Sequence, residues 1–357
     1  MSVQAAAPTE TGAAIYRRAY AIDAQCFAGQ APAGNVPFLT PSKVEALRTS
    51  GITALGWCVS TGTDPKAATP YLAVKEVIEK WDAFIAQHSD VLMKVVTSAQ
   101  LDQAKKSGKV GLIYNFQHPD CFGGSLAQLK TYVDMGVRQM QLVHNRRNFI
   151  ADTCQELTNA GLSTFGREVV EALNAQRVLI DLSHAGELSS LETVLQSTAP
   201  VLYSHSGCFA LCPHPRNVSD RNIKAVADKG GLFCVYNQSG WLTRDPVISM
   251  DHYLAHVKRV IDLTGEDHVG MGTDQDAVDM TAMRPDEVTR HQRTFDADFK
   301  TFPYLTWKVR HMRVPELSHP HRLLHLSEAL VTAGYTPRVV EKILGGNYAR
   351  LFRDVVG

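Results

Sequence analysis

The sequence predicts an α/β fold, a (β/α)8 TIM-like barrel, on three observations. Eight short apolar segments alternate with segments of helical period along the chain. Four of the later apolar segments, RQMQLVHN, RVLIDLSH, PVLYSHS and HVGMGTD, stop at His144, His184, His205 and Asp274, residues suited to metal or acid–base chemistry. No glycine-rich phosphate loop follows the first segment, which disfavours the runner-up, an open doubly wound sheet. Reactive polar groups at the carboxyl ends of successive buried strands are how an α/β barrel builds a site.

The strands are expected at 19–27, 52–59, 110–117, 137–144, 178–184, 200–206, 230–237 and 268–274. Between them lie helical stretches such as PSKVEALRTSG, YLAVKEVIEKWDAFIAQH, FGREVVEALNAQ and DHYLAHVKRVIDLTG, several of which end in Gly, a frequent C-terminal residue of helices. Parallel neighbours need a crossover helix of this kind, and eight such units make a closed barrel. After 274 the pattern breaks. Residues 275–320 are rich in Arg, His, Asp and Pro and are expected to form a lid, a substrate wall or a subunit contact over the mouth. Helices at about 321–352 close the chain, and residues 1–357 read as a single barrel domain.

Composition removes several classes of function. Of 357 residues 45% are hydrophobic and 20% charged, and 36 basic residues balance 36 acidic ones. No polybasic block is present, so neither nucleic acid nor an anionic membrane is an expected partner. The longest apolar runs are strand-sized, far below the roughly 20 residues that span a bilayer. The N-terminus carries no apolar core of signal-peptide length, and a soluble cytoplasmic protein is the expectation. The seven cysteines are an odd number, several within expected strands, which argues against a disulfide framework. Cys208, Cys212 and His214 lack the spacing of a zinc knuckle and read as a loop with buried thiols.

One histidine ending a strand is ordinarily structural. Three histidines and an aspartate at the ends of four strands converge in a barrel. Two neutral imidazoles and a carboxylate are a recurrent ligand set for catalytic zinc with an open water position. A bound ion would acidify that water and polarise a carbonyl, so the residues point to metal-assisted hydrolysis of a small polar substrate.

The ordered series VDMGVRQMQLVHNRRN, GLSTFGREVVEALNAQRVLIDLSH, PVLYSHS, RNVSD, DHVGMGTD and GYTPRVVEKILGGNYARLF resembles the membrane (renal) dipeptidase family, zinc peptidases on a barrel of the metal-dependent amidohydrolase type. The resemblance covers roughly 110–274 and 330–352. It implies that His184 and His205 hold the second zinc and that His144 stabilises the oxyanion. It also implies that Arg216 holds the substrate carboxylate through its bidentate fork, and that Asp274 shuttles a proton between water and leaving nitrogen. It further implies a homodimer.

The chain departs from that family in three places. The first-strand His-x-Asp falls on Gln25 and Phe27 of IDAQCF, and the bridging glutamate falls on Gln117 of YNFQHP. Two adjacent divalent ions need carboxylates to offset their repulsion, so the two-zinc centre is not expected. A single zinc at His184 and His205, or none, is expected instead. Gln25 and Gln117 then join Arg216 and His144 as candidate substrate-binding residues, with His144 and Asp274 the candidate catalytic ones. His118 is weighed as a replacement ligand, although alternation along a strand would turn it away from Gln117. Phe27 and Trp57 near the mouth would make the pocket more apolar and favour a modified amino-acid derivative over an ordinary dipeptide. Arg284, Arg290, Arg293, Arg310 and Arg313 in or near the lid suit an anionic substrate or surface ion pairs. The expectation is a dipeptidase-like hydrolase of a small carboxylate-bearing amide. The alternatives are a metal-independent lyase, isomerase or cyclase on the same scaffold, and a non-catalytic binding homologue.

Overall fold

The structure is a computed structural model that describes residues 10–27, 39–60, 70–245, 247–276 and 313–357, with positions 286, 289, 292 and 293 between. In chain order the strands are β1 (Ile22–Phe27), β2 (Ala54–Cys58), β3 (Leu92–Lys94), β4 (Val110–Phe116), β5 (Gln139–Gln141), β6 (Leu179–Asp181), β7 (Leu202–Ser206), β8 (Leu232–Val235), β9 (Val269–Met271) and β10 (Gln275–Asp276). Each of the eight expected segments contains one of them; β3 and β10 are additional. Helices fill the gaps between strands as the periodicity predicts, among them Pro41–Ser50, Thr164–Ala175, Asp220–Asp228 and Met250–Thr264. Side-chain oxygens of Thr40, Thr97, Ser125, Ser163 and Ser219 cap helix starts by accepting a backbone N–H three residues on, each worth about 1 kcal/mol.

The strands run parallel in the order β10-β1-β2-β4-β5-β6-β7-β8-β9, with β3 attached to β4. This path corrects the closed eight-stranded TIM-like barrel expected from the strand count. The sheet is curled and open, and no ladder joins β9 to β1 among the described residues. The reason lies just past β9. Asp274 turns into the left-handed region (φ 53), and only Gln275 and Asp276 then pair with Cys26 and Phe27 of β1. The segment expected as a lid, 275–320, falls largely outside the described residues.

Side chains alternate between two cores. On the outer face Leu55, Trp57, Leu112, Tyr114, Met140 and Phe233 pack in the same cluster as helix residues. On the inner face Ile22, Ala54, Leu179, Leu202 and Leu232, the first residues of their strands, pack with Tyr348, Leu351 and Phe352 of helix Asn347–Val355. That helix seals the amino-terminal end of the interior, where each buried large side chain contributes about 1.5–3 kcal/mol. The polar interior is thereby left to the carboxyl ends. Trp57, expected near the mouth, instead meets Trp81 edge-on at 5.0 Å on the outer face. Phe27, at the end of β1, is only partly buried.

Two bulges break this alternation. Asp23 pairs with Leu55 and Cys26 with Trp57, so Ala24 and Gln25 together oppose Gly56. Tyr203 pairs with Phe233 and Ser206 with Val235, so Ser204 and His205 together oppose Cys234. A bulge adds one residue and re-aims a side chain. At Gly56 a Cβ would come within 2.1 Å of the Ala24 carbonyl oxygen, so only glycine fits opposite the first bulge. Behind β1 the fully buried Arg322 donates from Nε to Asp23 Oδ2 at 2.7 Å, and its Nη2 lies 3.1 Å from Cys26 Sγ. All seven cysteines are free thiols.

Candidate active site

The carboxyl ends of β4 to β9 bring together most of the residues expected from sequence. His184 Nε2 lies 3.2 Å from His205 Nε2, and His205 Nε2 lies 3.9 Å from Asp274 Oδ1. Gln117 Nε2 donates to the same Asp274 oxygen at 3.0 Å. The His144 ring stands 4.1 Å from that of His184 and 4.0 Å from that of His118. His118 is therefore part of the site after all. β4 ends at Phe116, so strand alternation no longer governs residues 117 and 118. Arg216 is 2% exposed; its Nη1 donates to Ser206 Oγ and its Nη2 to the carbonyl of His205. Its guanidinium lies 5.5 Å from the Tyr236 ring centre, and its Nε has no partner among the described residues. A cavity of about 280 Å³ opens beside His184 and Arg216, walled by Cys154, Glu156, Glu187 and Asn222.

Neighbouring side chains fix the imidazoles. His184 Nδ1 faces Asn145 Oδ1 at 2.9 Å, an acceptor, so that nitrogen carries the proton. His205 Nδ1 lies 2.7 Å from Ser204 Oγ, whose own hydrogen goes to Asp181 Oδ2, so here too Nδ1 is the donor. Both Nε2 atoms then turn lone pairs toward one point. Burial holds His184 well below its ordinary value, helped by the charge of Arg216, and burial pushes His205 down to about 4 against the pull of Asp274. Near neutral pH neither ring brings a proton to lie between them. Burial alone would raise the Asp274 carboxyl, but His205, Arg216, Arg313 and the Gln117 amide together hold it below its usual value. Its backbone carbonyl accepts from Gln238 Nε2 and Arg313 Nη1.

The donor set decides what metal the site suits. A two-zinc centre does not fit, because Gln25, Phe27 and Gln117 offer no charge. Among the described residues no group of three or more His, Cys, Asp or Glu side chains is arranged to hold an ion. The converging lone pairs of His184 and His205 do suit one cation between them, since imidazoles with their second nitrogen held by an acceptor are the usual metal-ligating form. Cys208 and Cys212 lie elsewhere, against His256 and Gly240.

Sequence reasoning missed Asn145, Ser204 and Asp181, which orient the two imidazoles, and Gln238. It took Arg313 as a lid arginine suited to surface pairing, whereas Arg313 lies against Asp274 and Gln275. Arg284, Arg290 and Arg310 fall outside the described residues. It also missed Asn115 and Gln141. Like Gln25, each is at most 1% exposed with both amide atoms unpartnered, at about 1–3 kcal/mol per buried polar group left so. Asn115 was within reach of the sequence, two residues before Gln117 in the segment expected as a strand.

Known proteins resemble this chain in sequence and fold. Residues 39–296 fit the profile of the membrane dipeptidase family (Peptidase family M19). Dipeptidase tcpJ of Claviceps purpurea (strain 20.1) is 27% identical over 254 residues, 70% of this chain and 52% of that protein, so the match spans about half of that relative. An amidohydrolase from Pseudomonas aeruginosa superposes with a TM-score of 0.81 at 28% identity, over 97% of this chain and 99% of that one. The probable dipeptidase PvdM from Pseudomonas aeruginosa shares the fold, with a TM-score of 0.76 at 15% identity over 96% of this chain and 97% of that one. The chain belongs to the membrane dipeptidase family, as a divergent member without the family's usual metal cluster among its described residues. The family it belongs to is described as one of dipeptidases. Among the described residues no helix is long and apolar enough to cross a membrane.

Proposed function

We propose that this protein hydrolyses an amide bond of a small, carboxylate-bearing amino-acid derivative, with a single metal ion at His184 and His205. The observation that carries this reading is the pair of Nε2 atoms facing each other at 3.2 Å, with the Asp274 carboxylate beside them. The chemistry such an ion supplies is polarisation of the scissile carbonyl and acidification of the attacking water. Asp274 takes the proton of that water as its oxygen bonds to the carbonyl carbon. It then delivers the proton to the nitrogen as the carbon–nitrogen bond breaks. Gln117 holds one Asp274 oxygen through its amide N–H, which steers the other toward the substrate. His144, kept neutral chiefly by burial, donates its N–H to the developing oxyanion. Arg216, bonded among the described residues to an uncharged hydroxyl and a carbonyl, keeps donors for the substrate carboxylate.

Metal analysis of protein purified without chelators tests this. One equivalent of ion, lost together with turnover in His184→Ala, is expected; full activity in metal-free protein excludes it. A second reading draws on the lack, among the described residues, of a group of three or more side chains arranged to hold an ion: a metal-independent lyase, isomerase or cyclase using His144 and Asp274. Turnover untouched by a strong chelator would select it. A homodimer belongs to the proposal only by analogy with the family.

A further inference from the structure

We propose that Gln25, Asn115 and Gln141, with Gln117 at their rim, form a neutral subsite for an uncharged donor–acceptor group of the substrate, namely the ureido group of an N-carbamoyl amino acid. This rests on the amide-hydrolase reading for the position of the rest of the substrate.

The three side chains are buried, and no atom of their three carboxamides has a partner among the described residues. This is a local property of the interior. Gln139, one register step away, is satisfied by the Ala24 carbonyl and by Tyr348, and Gln117 by Asp274. All three point inward near the carboxyl ends of their strands. The bulge of β1 turns Gln25 in after Ala24, and its carbonyl accepts the N–H of Asp274. Asn115 follows the outward Tyr114 and precedes the outward Phe116, while Gln141 lies between the outward Met140 and Leu142. Gly56 lets β1 and Asn115 approach closely, since a Cβ there would sit 2.1 Å from the Ala24 carbonyl oxygen and 3.2 Å from Asn115 Nδ2.

Unpartnered buried polar groups call for a complement, and a carboxamide both donates and accepts. The three carboxamides carry no charge, so an uncharged complement matches them best, and Asp23, on the strand of Gln25, is already paired with Arg322. A free α-ammonium would meet only amide dipoles within the subsite, which low-dielectric surroundings penalise heavily. A ureido group presents a carbonyl and N–H groups to match the three amides, and the amino-acid carboxylate still reaches Arg216.

Calorimetric titration of the full chain with N-carbamoyl-alanine and with alanyl-alanine tests this. The carbamoyl ligand is expected to bind at least tenfold more tightly. Gln141→Leu is expected to lower its affinity about tenfold and leave the dipeptide's nearly unchanged, and Gln25→Glu to reverse the preference. Equal affinities, or a ratio unmoved in both variants when their melting curves show them folded, overturn the proposal. If a variant does not fold, a crystal structure of the natural chain soaked with N-carbamoyl-alanine decides. Ureido contacts to the three amides support the subsite, and waters alone among them overturn it. Turnover is scored separately: preference without hydrolysis removes the hydrolase reading and keeps the subsite, while hydrolysis without preference does the reverse.

Discussion

His184 and Asp274 both occupy left-handed backbone, with φ of 69 and 53. Non-glycine residues visit that region at a cost of about 1–3 kcal/mol and persist there where their surroundings over-determine them. The bonds from Gln25, Gln238 and Arg313 to the Asp274 backbone supply that constraint. Asp274→Asn keeps the shape and removes the proton acceptor. Steady-state kinetics are expected to show kcat down at least about 100-fold with KM little changed. Gln117→Glu sets a second carboxylate where the amide now donates to Asp274 at 3.0 Å. Two adjacent carboxylates cannot both ionise freely, so the acid limb of the pH–rate profile should move up by about a unit or more. At this scale the sequence exposed His144, His184, His205 and Asp274 because each ends an apolar run. Asn145, Ser204 and Asp181 carry no such mark, being polar residues whose roles exist only once the rings are in place.

Elements were legible where periodicity speaks and silent where pairing decides. All eight apolar segments carry strands, yet β3 is three residues long and too short to show a pattern. The open path of the sheet was hidden, because counting strands does not say which edges pair. The bulges in β1 and β7 were hidden too, since one extra residue leaves an apolar run looking unbroken. Gly56→Ala is expected to reduce soluble yield and the melting temperature sharply, because its Cβ would meet the Ala24 carbonyl at 2.1 Å. Arg322 ties helix Arg322–Thr332 to β1 through Asp23. Arg322→Met leaves the buried Asp23 carboxylate without its counter-ion, held only by neutral donors such as Thr273, and should cost about 3–5 kcal/mol in denaturant titrations. The paired change to Asp23→Asn should recover part of that loss.

Across the whole molecule, burial keeps several histidines neutral. His205, His214 and His256 are pushed down to about 4, and His144 and His184 well below their ordinary value, burial being the first cause in each. In the unfolded chain these rings take up protons near pH 6.5. Between about 6.5 and 4 the unfolded state therefore binds more protons than the folded one, and stability falls as pH falls. Melting temperatures should be level from pH 8 to about 6.5 and decline toward 4. In His256→Gln, where the ring accepts from the Cys208 N–H and donates to the Leu242 carbonyl, the decline should be shallower.

The Arg216 guanidinium grips the backbone oxygen of His205 and lines the cavity beside His184. A ligand that tugs on this arginine tugs, through one hydrogen bond, on the peptide group that carries an imidazole of the reaction centre. Under the role proposed for Arg216, docking and catalysis are in this way mechanically linked. An analogue stripped of its acid group should forfeit speed of reaction as well as grip.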